Sequence, residues 1–255
     1  MRIIGFDEQR KLIVEILKKY SDYCEKNNYN YTLAYGTLLG AIRHKDLIPW
    51  DNDIDVFMPR DDYNRFISEY DSNPIPSIEL CCVEKDGNYP FLFAKLSLCG
   101  TVSVIEDTTF SFGVYIDIFP LDGMGNDYDT AVKIRSRQIK YIDNGYSPTK
   151  NKLLSRVWDK YCTMRCIGYE KYWYIKKYCT ENYHNSDYVA NIAGWEKGIF
   201  RKNDIFGNRT EWFVDRYYRI PVNAELVLSS SYGDYLMLPP MEKRIPPHEY
   251  DFYWK

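Results

Sequence analysis

The segment DNDIDVFM, residues 51–58, is the feature that most restricts what this chain can fold into. Asp51, Asp53 and Asp55 are spaced by two, and side chains two residues apart in a strand project from the same face. Ile54 then points the other way, into a core. Carboxylates this close repel unless cations neutralise them, and Mg²⁺ or Mn²⁺ takes such oxygen ligands together with phosphate oxygens. A solvated acidic loop would not need interleaved apolar residues, so the pattern predicts a strand that carries a metal site.

Just before this strand, the sequence predicts a phosphate-binding turn. Residues 31–35 (YTLAY) have the character of a short strand that Gly36 breaks, and Thr37 is a suitable N-cap for a short helix over 38–44. Backbone N–H groups and the positive end of a helix bind phosphate in such a position. Arg43, in the last turn of this helix, is predicted either to bind the donor phosphates bidentately or to pair with an acid of the following strand.

A third carboxylate, Asp117, lies in a very apolar strand predicted at 113–119. A buried carboxylate needs a cation or strong donors, so Asp117 is expected to complete the metal site and to help deprotonate an attacking hydroxyl. Pro120 and Gly123 are predicted to end the strand and to leave Asp122 in a turn. Lys95, in the preceding strand, is expected either to reach a phosphate or to be an ordinary strand lysine.

The remaining pattern indicates an α/β fold. Apolar residues at helical spacing predict an amphipathic helix over 7–27, and further alternations predict the helix 60–70 and the strands 78–83, 91–98, 101–105 and 113–119. Helical and aromatic segments fill 127–182, and a mixed, proline-rich portion follows. The simplest division is a catalytic core over 1–125, with a C-terminal portion over 126–255 that completes the cleft as part of one compact unit.

Charge and hydropathy restrict the partners. The net charge of −3 gives none of the basic excess that nucleic-acid binding requires, so a polynucleotide substrate is disfavoured. No apolar run approaches the roughly 18 residues that suggest a membrane span. The first residues lack the apolar core of a signal peptide. We therefore expect a cytoplasmic protein without a transmembrane segment, and peripheral association with the inner face of the membrane stays open.

Four blocks of the sequence resemble the LicD family, which includes bacterial phosphocholine transferases and the catalytic domains of fukutin-type proteins. The longest is YGTLLGAIRHKDLIPWDNDIDVFMPRDDYNRF, and the others are FAKL (93–96), GVYIDIFPLDG (113–123) and YGDYLMLPP (232–240). The resemblance implies a nucleotidyltransferase-like mixed sheet flanked by helices, with a divalent metal. It also implies the site residues: the metal pair Asp53 and Asp55, the third carboxylate Asp117, and the donor contacts Gly36, Thr37 and Arg43, with Asp51 in support.

This chain departs from the family pattern at Asn52, where the family usually has Asp. Strand alternation points position 52 away from its acidic neighbours, so the metal pair is expected to survive. The block at 232–240 is expected to return to the cleft, whereas its residues alone show only a turn followed by a proline stop.

The activity implied by the resemblance is transfer of a substituted phosphate from a CDP- or CMP-linked donor to a hydroxyl of a cell-surface glycan precursor, with release of CMP. The head group (phosphocholine, phosphoethanolamine, a phosphonate or a polyol phosphate) stays open. So does the acceptor, either a free glycan or a lipid-linked oligosaccharide. The alternatives are a sugar nucleotidyltransferase that releases pyrophosphate and a non-catalytic module of glycan assembly.

Overall fold

A computed structural model of the chain describes residues 1–86, 89, 91–104, 111–145, 176–193, 198–246 and 251–255. The chain divides into two units: the first joins Met1–Pro120 to Asn203–Lys255, and the second is Leu121–Lys202. The first unit is therefore built from two separate stretches of the sequence. Every residue predicted to belong to the site lies in this first unit.

Five hydrogen-bonded strands form a sheet at the centre of the first unit. Its strands are β2 (Thr32–Leu33), β3 (Asp55–Pro59), β4 (Ile78–Cys81), β5 (Ala94–Leu98) and β7 (Tyr115–Gly123), in the order β2-β3-β7-β5-β4. The pairs β2–β3, β7–β5 and β5–β4 are antiparallel. Strand β7 is buried along its whole length, which agrees with its apolar sequence.

Three helices pack beside this sheet: α1 (Phe6–Asn27), α2 (Tyr35–Arg43) and α3 (Arg60–Glu69). Helix α1 buries residues at helical spacing, among them Ile13, Leu17 and Tyr20. It ends where Asn28 adopts the left-handed conformation that commonly stops helices. Aromatic rings join α1 to α3, with Phe66 in edge-on contact with Tyr20 at a centroid distance of 6.0 Å.

The rest of the first unit includes a second sheet of order β1-β12-β6, in which β12 pairs antiparallel with both neighbours. Its strands are β1 (Arg2–Ile4), β6 (Thr101–Val104) and β12 (Asp251–Trp254). A hairpin of β10 (Thr210–Phe213) and β11 (Arg216–Arg219) and two short helices, α5 (Lys202–Ile205) and α6 (Ala224–Tyr232), complete the later part of the chain, with 3-10 turns at Tyr70–Ser72 and Met241–Lys243.

The second unit contains the end of β7, helix α4 (Tyr128–Gly145), the helical residues 176–181 and strands β8 (Tyr188–Ala190) and β9 (Phe200–Arg201). Strand β8 pairs antiparallel with both β7 and β9. A small core of Met124, Ala131, Cys179, Ala190 and Ile192 holds these elements together. The part of the predicted helical region at 146–175 lies outside the described residues. None of the described helices is long and apolar enough to cross a membrane.

The predicted fold class, a mixed α/β fold with helices flanking the sheet, is confirmed. The prediction that β7 ends at Pro120 is wrong, because the strand continues to Gly123. Pro120 lies after the last pair with β5, at Ile118, and before the first pair with β8, at Asp122. Neither of those ladders needs an N–H from it, which is the condition under which a strand tolerates proline. Asp122 is accordingly a buried strand residue, and its carboxylate accepts a hydrogen bond from the Thr180 hydroxyl at 2.9 Å.

Candidate functional site

Helix α2 begins earlier than the sequence predicts. Its N-cap is Ala34, and Tyr35 is the first helical residue, so Gly36 and Thr37 lie within the first turn. The prediction that Thr37 caps the helix is wrong, since the Thr37 hydroxyl instead accepts a hydrogen bond from the backbone N–H of Asp55 at 2.8 Å. This bond ties the start of α2 to the first residue of β3. The first-turn N–H groups of a helix have no acceptor within that helix, and its positive end favours anions.

Backbone strain accompanies this early start. Tyr35 has φ 44°, a left-handed conformation that is uncommon for a residue with a bulky side chain. The ring of Tyr35 packs edge-on against Phe57 and Phe119, at centroid distances of 4.8 and 5.5 Å. These two contacts hold Tyr35 in place, so the helix direction is set immediately before Gly36.

The acidic segment keeps the predicted alternation, although only its last residue belongs to a strand. Asp51, Asp53 and Asp55 are half-buried, whereas the residues between them, Asn52 and Ile54, are buried. The regular strand begins at Asp55 rather than at position 53. The three carboxylates therefore alternate with side chains that face the core, as expected from the sequence.

Backbone hydrogen bonds hold this segment on both sides. Asp117 donates its backbone N–H to the carbonyl of Ile54 at 2.8 Å, and Ala34 donates to the carbonyl of Asp55 at 3.0 Å. The residue between the two predicted metal ligands is thus bonded directly to the strand residue predicted as the third carboxylate. The hydroxyl of Thr37 and the backbone N–H of Asp117 thus both bond to the backbone of residues 54–55.

Two residues of α1 that the sequence analysis missed hold the loop before β3. The guanidinium of Arg10 donates to the carbonyls of Ile48 at 2.7 Å and Asp51 at 2.6 Å. The amide of Gln9 is buried and donates to the carbonyl of Asn52 at 2.9 Å. One signal was available: Gln9 occupies the apolar stripe of α1, where a polar side chain needs a partner.

Gly36 and Asp51 are in direct contact. A Cβ atom at position 36 would lie 2.8 Å from Oδ2 of Asp51, which is closer than a side chain can normally approach. The carboxylate of Asp51 therefore lies against the first turn of α2, where the helix dipole stabilises negative charge. Binding of a phosphate by this turn, predicted from the sequence, stays a prediction.

Arg43 connects α2 to the C-terminal block. Its guanidinium donates to the carbonyl of Tyr235 at 2.8 Å and of Met237 at 3.4 Å. Burial lowers the pKa of Arg43, and the carboxylate of Asp51 acts in the opposite direction. Four residues after this block, the guanidinium of Arg244 lies 5.5 Å from the ring of Trp50. The residues after position 232 thus lie against the end of α2 and against Trp50, just before the acidic segment, as the resemblance implies.

Lys95 and Asp117 form a buried ion pair across neighbouring strands. They are directly opposite in the register of β5 and β7, and Nζ of Lys95 lies 2.6 Å from a carboxylate oxygen of Asp117. Their side chains are only 3% and 6% exposed. Burial lowers the pKa of Lys95, and the negative charges of Asp117, Asp55 and Asp53 act against that change. The ammonium therefore lies within the electrostatic reach of the whole predicted carboxylate set.

Aromatic rings enclose the same ammonium. Nζ of Lys95 lies 3.6 Å from the ring centroid of Tyr115, and Phe91, Phe93 and Phe112 follow at 4.6, 5.0 and 5.2 Å. Ring faces attract cations, so they partly offset the loss of water around the ammonium. Lys95 is thus buried and ion-paired, and the sequence left open whether it reaches a phosphate or is an ordinary strand lysine.

The carboxylates fit a metal only in part. Within the ranges that the structure describes, no group of three or more His, Cys, Asp or Glu side chains is arranged to hold a metal ion. Asp53 and Asp55 are half-buried, and Mg²⁺ commonly binds one or two carboxylates together with substrate phosphates. Asp117 is held by Lys95. A divalent metal at Asp53 and Asp55, with Asp117 as third ligand, stays a prediction.

Comparison with known proteins identifies the relatives of this site. Residues 28–151 match the family model described as LicD/FKTN/FKRP, nucleotidyltransferase domain. This range includes α2, the acidic segment, Lys95 and Asp117.

Individual relatives extend the likeness. The chain is 27% identical to the lipopolysaccharide cholinephosphotransferase LicD of Haemophilus influenzae, over 99% of both chains. It is also 37% identical to an uncharacterized protein of Rickettsia typhi and 38% identical to one of Rickettsia prowazekii. Those two matches cover only 21% and 20% of this chain, and 18% and 19% of the Rickettsia proteins.

Proposed function

The chain carries a LicD-family domain, and from this premise we propose that it transfers a phosphocholine-type substituted phosphate from a CDP-linked donor to a hydroxyl of a glycan. CMP is the product released from the donor. The full-length relative is a lipopolysaccharide cholinephosphotransferase, which favours phosphocholine among the open head groups and a surface glycan as the acceptor. An acceptor carried on a lipid would bring the protein to the inner face of the membrane.

The observation that carries this proposal is the alternation of half-buried carboxylates on a fixed backbone. Asp53 and Asp55 flank Ile54, whose carbonyl is bonded to β7, and the hydroxyl of Thr37 holds the N–H of Asp55. Phosphoryl transfer depends mainly on positioning and on neutralisation of charge. A fixed pair of carboxylates beside the positive end of a helix supports that chemistry.

A divalent ion, Mg²⁺ or Mn²⁺, would be held by Asp53 and Asp55 and would neutralise the donor phosphates. Gly36 and Thr37 bind the donor phosphates through the first turn of α2. Arg43 holds the C-terminal block against the last turn of α2.

The acceptor hydroxyl gives up its proton to water as its oxygen attacks, and Asp117 acts on this site through its backbone N–H, which holds the carbonyl of Ile54 between Asp53 and Asp55. The acceptor oxygen forms a bond to the phosphorus of the transferred group as the bond between that phosphorus and the CMP oxygen breaks. The electron pair of the broken bond stays on CMP. Atoms and charge balance without a further reactant.

The test is a product assay with the purified chain. CDP-choline, CDP-ethanolamine and CMP-linked donors are each incubated with Mg²⁺ or Mn²⁺ and a lipopolysaccharide-derived oligosaccharide, and the release of CMP is measured. We expect CMP from CDP-choline that depends on both metal and acceptor. Pyrophosphate release from CTP and phosphocholine would instead support the nucleotidyltransferase alternative.

The matched control is Asp55→Asn, which keeps the shape of the side chain and removes its charge. Equal CMP release by this variant would contradict the assignment of the site. Absence of CMP and pyrophosphate across all donors, with no binding of Mg²⁺ or Mn²⁺, would favour a non-catalytic module of glycan assembly.

A further inference from the structure

The buried pair of Lys95 and Asp117 is costly, and a core does not require it. Moving two charges out of water costs more than their attraction alone offsets, and apolar residues of similar size are often as stable in such positions. The pair nevertheless lies in the centre of the sheet, with the two residues directly opposite in register. Its position suggests a role in the adjacent acidic site.

One backbone hydrogen bond joins the pair to that site. The N–H of Asp117 donates to the carbonyl of Ile54, the residue between Asp53 and Asp55. The charges of both acids act on the Lys95 ammonium, so the cation and the three carboxylates form one electrostatic group. The aromatic rings of Tyr115, Phe91, Phe93 and Phe112 surround the ammonium and restrict where it can move.

We propose that Lys95 is the resident cation of the acidic site: its ammonium keeps Asp117 out of metal coordination, so that Asp53 and Asp55 bind a single divalent ion. Lys95 is a positioning residue that acts through Asp117 and through charge. This inference rests on the proposed function, because it assumes that Asp53 and Asp55 hold a metal.

The balance of charge supports one ion rather than two. The carboxylates of Asp53, Asp55 and Asp117 with the ammonium of Lys95 leave a net charge that one divalent ion cancels. Lys95 already neutralises one of these carboxylates, so in the absence of the donor phosphates a second divalent ion would leave the four groups with a net positive charge. Asp51 is outside this group, since its carboxylate lies against the positive end of α2.

The test is a titration of the chain with Mn²⁺ alone, in which the electron paramagnetic resonance signal measures the concentration of free ion. We expect one Mn²⁺ for each wild-type chain. Asp55→Asn removes a ligand and should weaken binding by more than about a hundredfold, beyond the loss typical of an outer partner. Asp117→Asn should weaken binding by only about tenfold, because it leaves the charge of Lys95 unbalanced.

The double variant Lys95→Met/Asp117→Asn tests whether Asp117 is a metal ligand. It removes one positive and one negative charge together, so the net charge of the group is unchanged. If Asp117 is not a ligand, the double variant recovers the affinity that Asp117→Asn alone loses. This variant also avoids the unpaired buried charge that could prevent Lys95→Met from folding, and far-ultraviolet circular dichroism checks that it is folded.

Arg209→Met is the matched control, because it removes a cation from an ion pair whose two side chains are 36% and 51% exposed. It should leave the Mn²⁺ affinity unchanged. The inference is overturned if the double variant binds Mn²⁺ as weakly as Asp55→Asn, or if the wild type binds two ions or none. CMP release by the wild type is measured separately: its absence with the expected Mn²⁺ pattern would contradict the proposed function and leave the role of Lys95 standing.

Discussion

The acidic segment before β3 and the Lys95–Asp117 pair use the same side chain in opposite ways. Asp53 and Asp55 are half-buried where β3 begins, and their backbone is fixed by hydrogen bonds to the Thr37 hydroxyl and from the Asp117 N–H. Asp117 is buried in the middle of the sheet and is fixed through its carboxylate by Lys95. In the first region hydrogen bonds fix the backbone, and in the second region an ion pair fixes the carboxylate group.

This difference indicates which carboxylates are available to a ligand. A carboxylate whose backbone is fixed can exchange its own partners for a metal or for water at little cost. A carboxylate that is buried against an ammonium cannot leave it without exposing an unpaired buried charge. The two kinds of aspartate are therefore expected to respond differently to substitution, and four predictions follow from that difference.

The largest effect on activity is expected at Asp53 and Asp55. Asp55→Ala, and likewise Asp53→Ala, should lower the rate of CMP release by about a thousandfold or more, because a carboxylate that would hold the divalent ion, and with it the neutralisation of the donor phosphates, is lost. The free energy of unfolding should change little, since these side chains are only half-buried. Steady-state kinetics and thermal unfolding measure the two quantities. Retained turnover in purified Asp55→Ala would remove the basis of the comparison.

The next effect is expected in the interior, and it concerns stability. Lys95→Met leaves the carboxylate of Asp117 buried without its ammonium, so the free energy of unfolding should fall by about 3–5 kcal/mol. Urea unfolding followed by circular dichroism measures it. Lys95→Met/Asp117→Asn should recover most of that loss. If the single variant is as stable as the wild type, the pair does not hold Asp117 as described.

A smaller effect on activity alone is expected at Gly36→Ala. The new Cβ would meet Oδ2 of Asp51 at 2.8 Å and displace that carboxylate. A displacement of this kind near the reacting groups should lower the rate of CMP release by about tenfold to a hundredfold. Stability should hold or rise, because alanine is the better helix former by about 1 kcal/mol.

The control for this variant is Gly5→Ala, since a Cβ there meets no atom within 4 Å. It should leave the rate of CMP release unchanged. A Gly36→Ala protein that is fully active would show that Asp51 moves away without consequence, and Asp51 would then have no supporting role.

The smallest effect is expected for an exposed ion pair. Arg209→Met removes the partner of Glu225 and should cost about 0.5 kcal/mol at neutral pH, because water and salt screen such pairs. Hydrogen bonding to Arg209 lowers the pKa of Glu225 to about 2. A lowered carboxylate pKa stabilises the fold above the ordinary glutamate pKa, and this stability is lost as the pH falls toward 2.

Urea unfolding at pH 7 and at pH 2.5 measures this contribution. The difference between wild type and Arg209→Met should be small at pH 7 and smaller still at pH 2.5. A cost at Arg209 as large as that at Lys95 would show that burial does not distinguish the two pairs.

The sequence was sufficient for features that depend on neighbouring residues. Alternation of Asp51, Asp53 and Asp55 with buried residues is a local property of extended chain, and it is present even where the regular strand has not begun. Helix α1 was predicted within a residue at its start, because its apolar spacing is long and regular. The fold class followed from the same local patterns.

Features that depend on pairing between distant residues could not be derived in this way. Lys95 meets Asp117 because of the register of β5 and β7, and no local pattern gives a register. Arg10 reaches carbonyls that lie about forty positions further along the chain. The first turn of α2 was misplaced because the hydroxyl of Thr37 bonds the N–H of Asp55 instead of its own helix.

The sheet β1-β12-β6 has a consequence for synthesis on the ribosome. Strands β1 and β6 emerge early, but the strand that pairs with both of them, β12, lies near the end of the sequence. Until β12 emerges, the nascent chain presents two unpaired strand edges, which readily pair with other chains. Arg43 likewise cannot donate its hydrogen bond to the carbonyl of Tyr235 until that residue has been synthesised. The chain is therefore most prone to aggregate before residues 251–254 have emerged, and conditions that slow the ribosome near residue 240 should reduce the yield of folded protein.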